Sequence, residues 1–276
     1  MSPNFFKTTR MRSLSFQIRA KTAGILTGFN EAFVIDEETR KRLIKKDPKS
    51  KGIIKPWLRG RDIKKWKAEW AGLYVIAIAS GANKEWPWTG SSEAKAESIS
   101  EKTFPSIHEY LVRFKTQLMK RDDQGEFWWE LRSCAYYKEF EKPKIVWGNM
   151  ATDPKFALDE KAFYISAPAN LIPTDDTYLL CLLNSSICGW LISFLAAVRG
   201  GNFLEFKPMY VEQIPVFPAS DRQKASVIKR VEAILKDPDG PDVTRLEKEI
   251  DKEIYKLYGL TDKEIGIIEQ KRGTGT

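Results

Sequence analysis

Leu73-Tyr-Val-Ile-Ala-Ile-Ala79 is an unbroken run of apolar and β-branched side chains, and it reads as a buried strand. Further along, residues 104–120 switch to a helical period: Pro105 lies in the first turn, and Ile107, Leu111, Phe114 and Leu118 recur on one face. A strand and an amphipathic helix of this kind in one chain give a mixed α/β (α+β) class, a twisted sheet with flanking helices. Residues 32–35 and Lys144–Trp147 read as further strands, and Glu37–Lys46 as another helix. Residues 82–103 are rich in Ser, Glu, Lys and Gly and read as a long exposed loop.

Beyond Pro218 the pattern becomes a helical tail, so the chain divides into residues 1–218 and 219–276. Ser220 and Gln223 form a capping box, and Val227, Ile228, Val231, Ile234 and Leu235 make the apolar stripe that follows. Pro238, Gly240 and Pro241 stop that helix. A second starts near Thr244, with Leu246, Ile250, Ile254, Leu257 and Tyr258 on one face and Gly259 as its C-cap. Thr261 and Glu264 open a third. The tail stripe either covers its own core or docks a partner chain. Residues 178–198 are almost long enough to span a bilayer, but Asn184, Ser185, Ser186 and Gly189 interrupt them, so they read as two buried helices and not as a membrane span.

The net charge of +8 is unevenly spread: residues 1–70 hold 18 basic and 7 acidic side chains, a net of +11. Concentrated basicity is the footprint of a phosphate-binding surface, and equally that of a solubilising face. The cysteines, Cys134, Cys181 and Cys188, have neither disulfide nor zinc spacing. Residues 1–19 lack a secretory apolar run, and the expected setting is cytoplasmic.

Chemistry of its own finds little support in the chain. A methyltransferase that acts on adenine holds the amine with a polar-Pro-Pro-aromatic loop, and no Pro-Pro occurs here. The Gly-x-Gly of Gly273 and Gly275 lies at the very end, where it follows no strand, so no nucleotide-like cofactor site is expected. His108, the single histidine, falls on a helix and reads as structural. Asp62-Ile-Lys64, Asp153-Pro-Lys155 and Asp159-Glu-Lys161 match a nuclease fragment, but no Pro-Asp pair precedes them at a useful distance. No metal site is expected.

What the sequence does offer is cations interleaved with aromatics. In Trp57-Leu-Arg59-Gly-Arg61-Asp-Ile63-Lys64-Lys65-Trp66 the guanidiniums suit guanine edges and the lysines suit phosphates. Arg121, Trp128 and Arg132 repeat the theme, although adjacent tryptophans also serve as core wedges. Arg199 and Asn202 flank a Gly-Gly turn, while Lys21, Thr27 and Asn30 surround Gly24 and Gly28. With Lys144, these residues make up the candidate DNA contacts.

Six blocks in order carry a resemblance: Thr27-Gly-Phe-Asn-Glu-Ala-Phe33, Leu58-Arg-Gly-Arg-Asp-Ile63, Trp128-Trp-Glu-Leu-Arg132, Phe140-Glu-Lys-Pro-Lys-Ile145, Leu183-Asn-Ser185 and Gln213-Ile-Pro-Val-Phe-Pro218. Together they resemble the TaqI-like C-terminal specificity domain over about residues 20–218. The resemblance implies a target-recognition domain that serves an N6-adenine methyltransferase or restriction-modification enzyme without a catalytic centre of its own. Its implied partners are double-stranded DNA and an adenine methyltransferase domain or subunit. S-adenosylmethionine would be bound by that methyltransferase and not by this chain. The rival reading is a protein-interaction subunit whose tail docks the methyltransferase, with DNA binding incidental.

Overall fold

The computed structural model describes Ile18 and residues 24–273. Its strands are β1 (Val34–Ile35), β2 (Ile54–Leu58), β3 (Tyr74–Ile76), β4 (Lys144–Trp147), β5 (Met150–Ala151), β6 (Phe156–Asp159), β7 (Tyr164–Ile165), β8 (Asn170–Ile172), β9 (Val198–Arg199) and β10 (Phe203–Glu205). They form three small sheets, ordered β1-β3-β2-β7, β6-β4-β8 and β5-β10-β9. With the helices around them, the fold is mixed α+β.

The middle sheet lies between two apolar cores. Along β4, β6 and β8 the residues alternate: Val146, Ala157 and Leu171 join the first core, and Ile145, Trp147, Phe156 and Ile172 join the second. β4 is buried on both faces over its whole length, a pattern that favours a continuous apolar run. Its one charge, Lys144, is fully buried opposite Asp159 in the β4–β6 register, with Nζ 2.5 Å from the carboxylate. The same ammonium donates to Phe140 O at 2.6 Å, and Asp159 accepts the backbone N–H groups of Lys161 and Phe163. Both charges are thus hydrogen-bonded as well as paired, which is what makes them tolerable inside.

The first core packs the β1-β3-β2-β7 sheet under helices Glu37–Lys46, Glu93–Thr103 and Pro105–Val112. Asp36 caps the first of these by accepting the Thr39 N–H at 2.8 Å. Pro56 is tolerated inside β2 because pairing with β7 begins only at Trp57. The run 73–79 contributes a strand only over Tyr74–Ile76, and residues 32–35 split between a helical turn, Asn30–Phe33, and β1. Residues 82–103 are not one long loop, because Glu93–Thr103 is helical. That helix buries only Ala96 and Ser100, so it shows almost no apolar stripe. The predicted helix 104–120 is divided at Arg113-Phe114 into Pro105–Val112 and Lys115–Leu118.

The second core is built around residues 178–198, which form two helices, Thr177–Leu183 and Ser186–Leu195, meeting at 58°. Among the described residues no single helix is long and apolar enough to cross a membrane. Asn184, at the bend, works as a false strand: its side chain accepts the Phe156 N–H at 3.0 Å and donates to the Phe156 carbonyl at 2.9 Å. The tail helices Asp221–Lys236 and Val243–Leu257 turn Val227, Val231, Ile234, Ile250 and Ile254 into this same core. Tyr258 ties them back to the family-like block by donating to Pro215 O at 2.5 Å.

Asp159→Ala would leave the Lys144 ammonium uncompensated between the cores. A loss of about 3–5 kcal/mol of unfolding free energy is expected in urea titration. A variant as stable as wild type would show that the pair does not order the sheet.

Candidate nucleic-acid interface

β2 leaves its sheet at Leu58 and enters a turn that organises itself. Arg59 lays its guanidinium fork on Asp62, Nε to Oδ2 at 2.7 Å and Nη2 to Oδ1 at 2.8 Å, and its backbone N–H reaches Oδ2 as well. The hydrogen bond to Asp62 raises the Arg59 pKa above its ordinary value. Arg59 is therefore committed within the chain, whereas Arg61 and Lys64 are exposed. Lys64 donates to Arg61 O at 3.0 Å. Gly60 presses against a second loop: a Cβ on Gly148 would lie 3.2 Å from Gly60 O, a tight contact, so the close approach of the two backbones favours glycine at 148.

The second group of loops joins Thr27–Asn30 to residues 121–132. Gly28 has φ +67°, and its Cα faces the Arg121 and Asp123 segment. Thr27 is buried and donates its hydroxyl to Asn30 Oδ1 at 2.7 Å. Arg121 is only 8% exposed. Its Nη1 donates to Thr27 O at 2.5 Å and Asp123 O at 3.0 Å, and its Nη2 to Trp128 O at 2.8 Å and to Glu130 O. Desolvation lowers its pKa to about 10.

Glu130 is fully buried and accepts Trp88 Nε1–H at 2.9 Å and the Glu126 N–H at 2.8 Å. Trp128 and Trp129 lie in the first core, edge-to-face at 5.3 Å. In this block Arg132, paired with Asp123 at 2.9 Å, and Asn30 are exposed, as are Gly28 and the acidic Asp122 and Glu126.

The third element is the β9–β10 hairpin, in which residues 198–203 are all exposed. Gly201 and Asn202 both take positive φ to make its turn. Arg199 pairs with Glu205 at 2.8 Å, and Lys207 reaches the other carboxylate oxygen at 2.9 Å. The Lys207 hydrogen bond, then that of Arg199, holds the Glu205 carboxyl below its usual range. Val198, Phe203 and neighbouring Met150 are exposed beside them. Val198 and Phe203 bound the glycine-supported loop that the sequence marks out, whereas Met150 lies in no stretch singled out there.

Backbone contacts link the three elements. Gly60 packs on Ala169, Gly24 N–H donates to Ala169 O at 2.7 Å, and Thr27 follows three residues later to meet Arg121. On the other side, Asn149 O accepts the Phe206 N–H at 2.8 Å, and β5 pairs with β10. Of the expected contacts, Asn30, Arg61, Lys64, Arg132, Arg199 and Asn202 are exposed along this track. Thr27, Arg121, Trp128 and Lys144 are corrections: their side chains are buried and partnered or packed within the chain, so as folded they cannot meet a phosphate. Lys65 turns instead to Glu247, at 2.8 Å, and Lys21 lies outside the described residues. Among the described residues no His, Cys, Asp and Glu cluster could hold a metal. His108 stands 3.5 Å from Glu97 and beside the Trp128 ring.

The stretch from β2 to the end of this interface, residues 55–216, matches the sequence profile of the TaqI-like C-terminal specificity domain, more than half of the chain. The chain belongs to that family. It is a DNA-recognition module whose family core starts in β2 and closes just before the tail. The chain is 24% identical over 240 residues to the type II methyltransferase M.MjaIV of Methanocaldococcus jannaschii, covering 83% of this chain and 75% of that protein. Its fold is similar, with a TM-score of 0.61 and 11% identity over 95% of this chain, to the type IIL restriction-modification enzyme MmeI, whose structure is in complex with DNA. The chain spans 36% of the length of that enzyme.

Arg121→Ala leaves buried carbonyls without a donor. We expect at least about 2 kcal/mol of lost stability in urea titration. The salt dependence of DNA binding by the folded protein should stay at the wild-type slope; a shallower slope would put Arg121 on the phosphates after all.

Proposed function

We propose that this chain selects the DNA sequence for an adenine-N6 methyltransferase that lies in another domain or subunit, and performs no chemistry itself. The observation that carries the reading is the contiguity of the three loop groups, which are far apart in sequence, with the exposed cations and amides distributed along them. Lys64 and Arg61 would position the duplex through its phosphates, and Asn30, Arg132, Arg199 and Asn202 would meet base edges. Arg132 pairs with the part-exposed Asp123, a contact weak enough in water for a phosphate or a base to displace, while Arg199 is anchored on the buried Glu205 with its own side chain left exposed. The S-adenosylmethionine needed for methyl transfer would be bound by the partner, because the Gly-x-Gly of this sequence, Gly273 and Gly275, follows a helix and not a strand. The partner would also take up the flipped adenine, while this module holds the flanking duplex.

The tail supports this reading over that of a free docking subunit, since its apolar stripes are already taken up by the second core.

Two measurements test the assignment. Arg61→Ala with Lys64→Ala should weaken binding to every duplex alike and reduce the slope of log K against log salt by about two. Asn202→Ala should leave that slope in place and relax the choice at a single base position by about 1–3 kcal/mol. A double variant with unchanged affinity and slope would remove Arg61 and Lys64 from the interface.

A further inference from the structure

The turn that carries Arg61 and Lys64 does not stand alone. It closes on itself through an Ile63–Ala68 bridge, with the Lys64 N–H donating to Lys67 O at 2.9 Å and the Glu69 N–H to Asp62 O at 2.8 Å. At its tip Trp66 has φ +71°, a backbone state that bulky side chains rarely adopt and that the surroundings must hold in place. Three contacts hold it. The indole is 3% exposed and belongs to the second core, although Ile63 and Ala68 on either side pack with the first. The Trp66 backbone N–H donates to Phe156 O at 2.9 Å, and indole Nε1–H donates to Glu247 Oε1 at 2.6 Å.

Glu247 receives Lys65 as well, at 2.8 Å, and Lys67 reaches Asp239 at 2.5 Å. Three consecutive residues are thus fastened to the tail, two to helix Val243–Leu257 and one to the turn before it. Glu247 sits one turn before Asp251, whose carboxylate takes the Ser186 N–H at 2.9 Å. Two inward carboxylates at helical spacing therefore join the buried stripe of Ile250 and Ile254, where apolar residues would serve packing alone.

We infer that Glu247 is a positioning residue for DNA reading. It fixes the Arg59–Lys67 turn in one geometry, so that Arg61 and Lys64 are presented to the duplex in a single register. It also neutralises Lys65, which would otherwise bind phosphate regardless of sequence. The role rests on the DNA reading given above, but the fastening itself is independent of it. The tail is, on this account, part of the reading apparatus and not a cover for the core alone.

The test uses the purified full chain as wild type, Glu247→Gln and Glu247→Leu. Two readouts are taken: hydrogen exchange of the amides of residues 60–68, and binding to a duplex selected from a random pool and to its scrambled counterpart over a range of salt. Leu removes the bonds to the Trp66 indole and to Lys65, so exchange should quicken and the selected-to-scrambled affinity ratio should fall, each by about tenfold. Gln keeps an acceptor for the indole and loses the charge. Exchange should then stay near wild type, while the salt slope on the scrambled duplex steepens by about one as Lys65 finds a phosphate.

Unchanged exchange in a folded Glu247→Leu chain would overturn the fastening. Faster exchange with an unchanged affinity ratio would overturn the positioning role. If wild type selects no duplex from the pool, the DNA reading fails, while the exchange result still decides the fastening. Should Glu247→Leu not fold, Trp66→Phe keeps an aromatic ring in the core and removes the donor together with part of the indole. It must give the same two losses, and their absence would count against the proposal.

Discussion

A sheet with no solvent face is the constraint from which the rest of this molecule follows. β4 must satisfy two apolar cores at once, so each of its residues is buried and successive side chains serve opposite sides. Burial of Lys144 in such a place is tolerable only with Asp159 opposite it and carbonyls around it. Because β4 is immobilised from both sides, the Gly148 and Asn149 that follow it are fixed relative to both cores. Those two residues meet the Gly60 turn on one side and the β10 hairpin on the other. The rigid sheet therefore sets the spacing between two of the three elements proposed to touch DNA, in keeping with the general need for recognition loops to rest on a stiff scaffold.

The polar residues in and around these loops divide accordingly into two kinds. Arg121, Glu130, Asn184 and Asp159 are inside, each satisfying backbone groups that no secondary structure covers. They shape the loops. Arg61, Lys64, Arg132, Arg199 and Asn202 are outside, carried by the loops so shaped. A specificity domain needs both kinds, since base choice depends on where a fork or amide is held as much as on its chemistry.

Much of this was legible in the sequence wherever the signal is local. The capping boxes at Ser220 and Thr261, the bend at Asn184 and the bounds of β4 could all be read from a few adjacent residues. The order of the family blocks identified the module. What could not be read was which cations are spent internally. Arg121 and Arg132 look equivalent along the chain, and only the remote Thr27 carbonyl and the fold of residues 123–130 make the first a staple and leave the second at the surface. The Glu93–Thr103 helix was hidden for a related reason: it rests on two small residues, and small contacts leave no periodic trace.

Local charge also points elsewhere. Much of the basicity of the first 70 residues lies on helix Glu37–Lys46 and the turn Pro48–Ile53, where Arg42, Lys45, Lys49 and Lys51 are exposed before β2 begins, while the reading turn starts after β2 ends. A surface chosen by charge alone would be there. Hydrogen exchange of the chain with and without bound duplex at near-physiological salt separates the two. The account predicts protection at residues 60–65 and 199–203 together, and little change at 41–51. Protection confined to 41–51, with the loops unaffected, would contradict it.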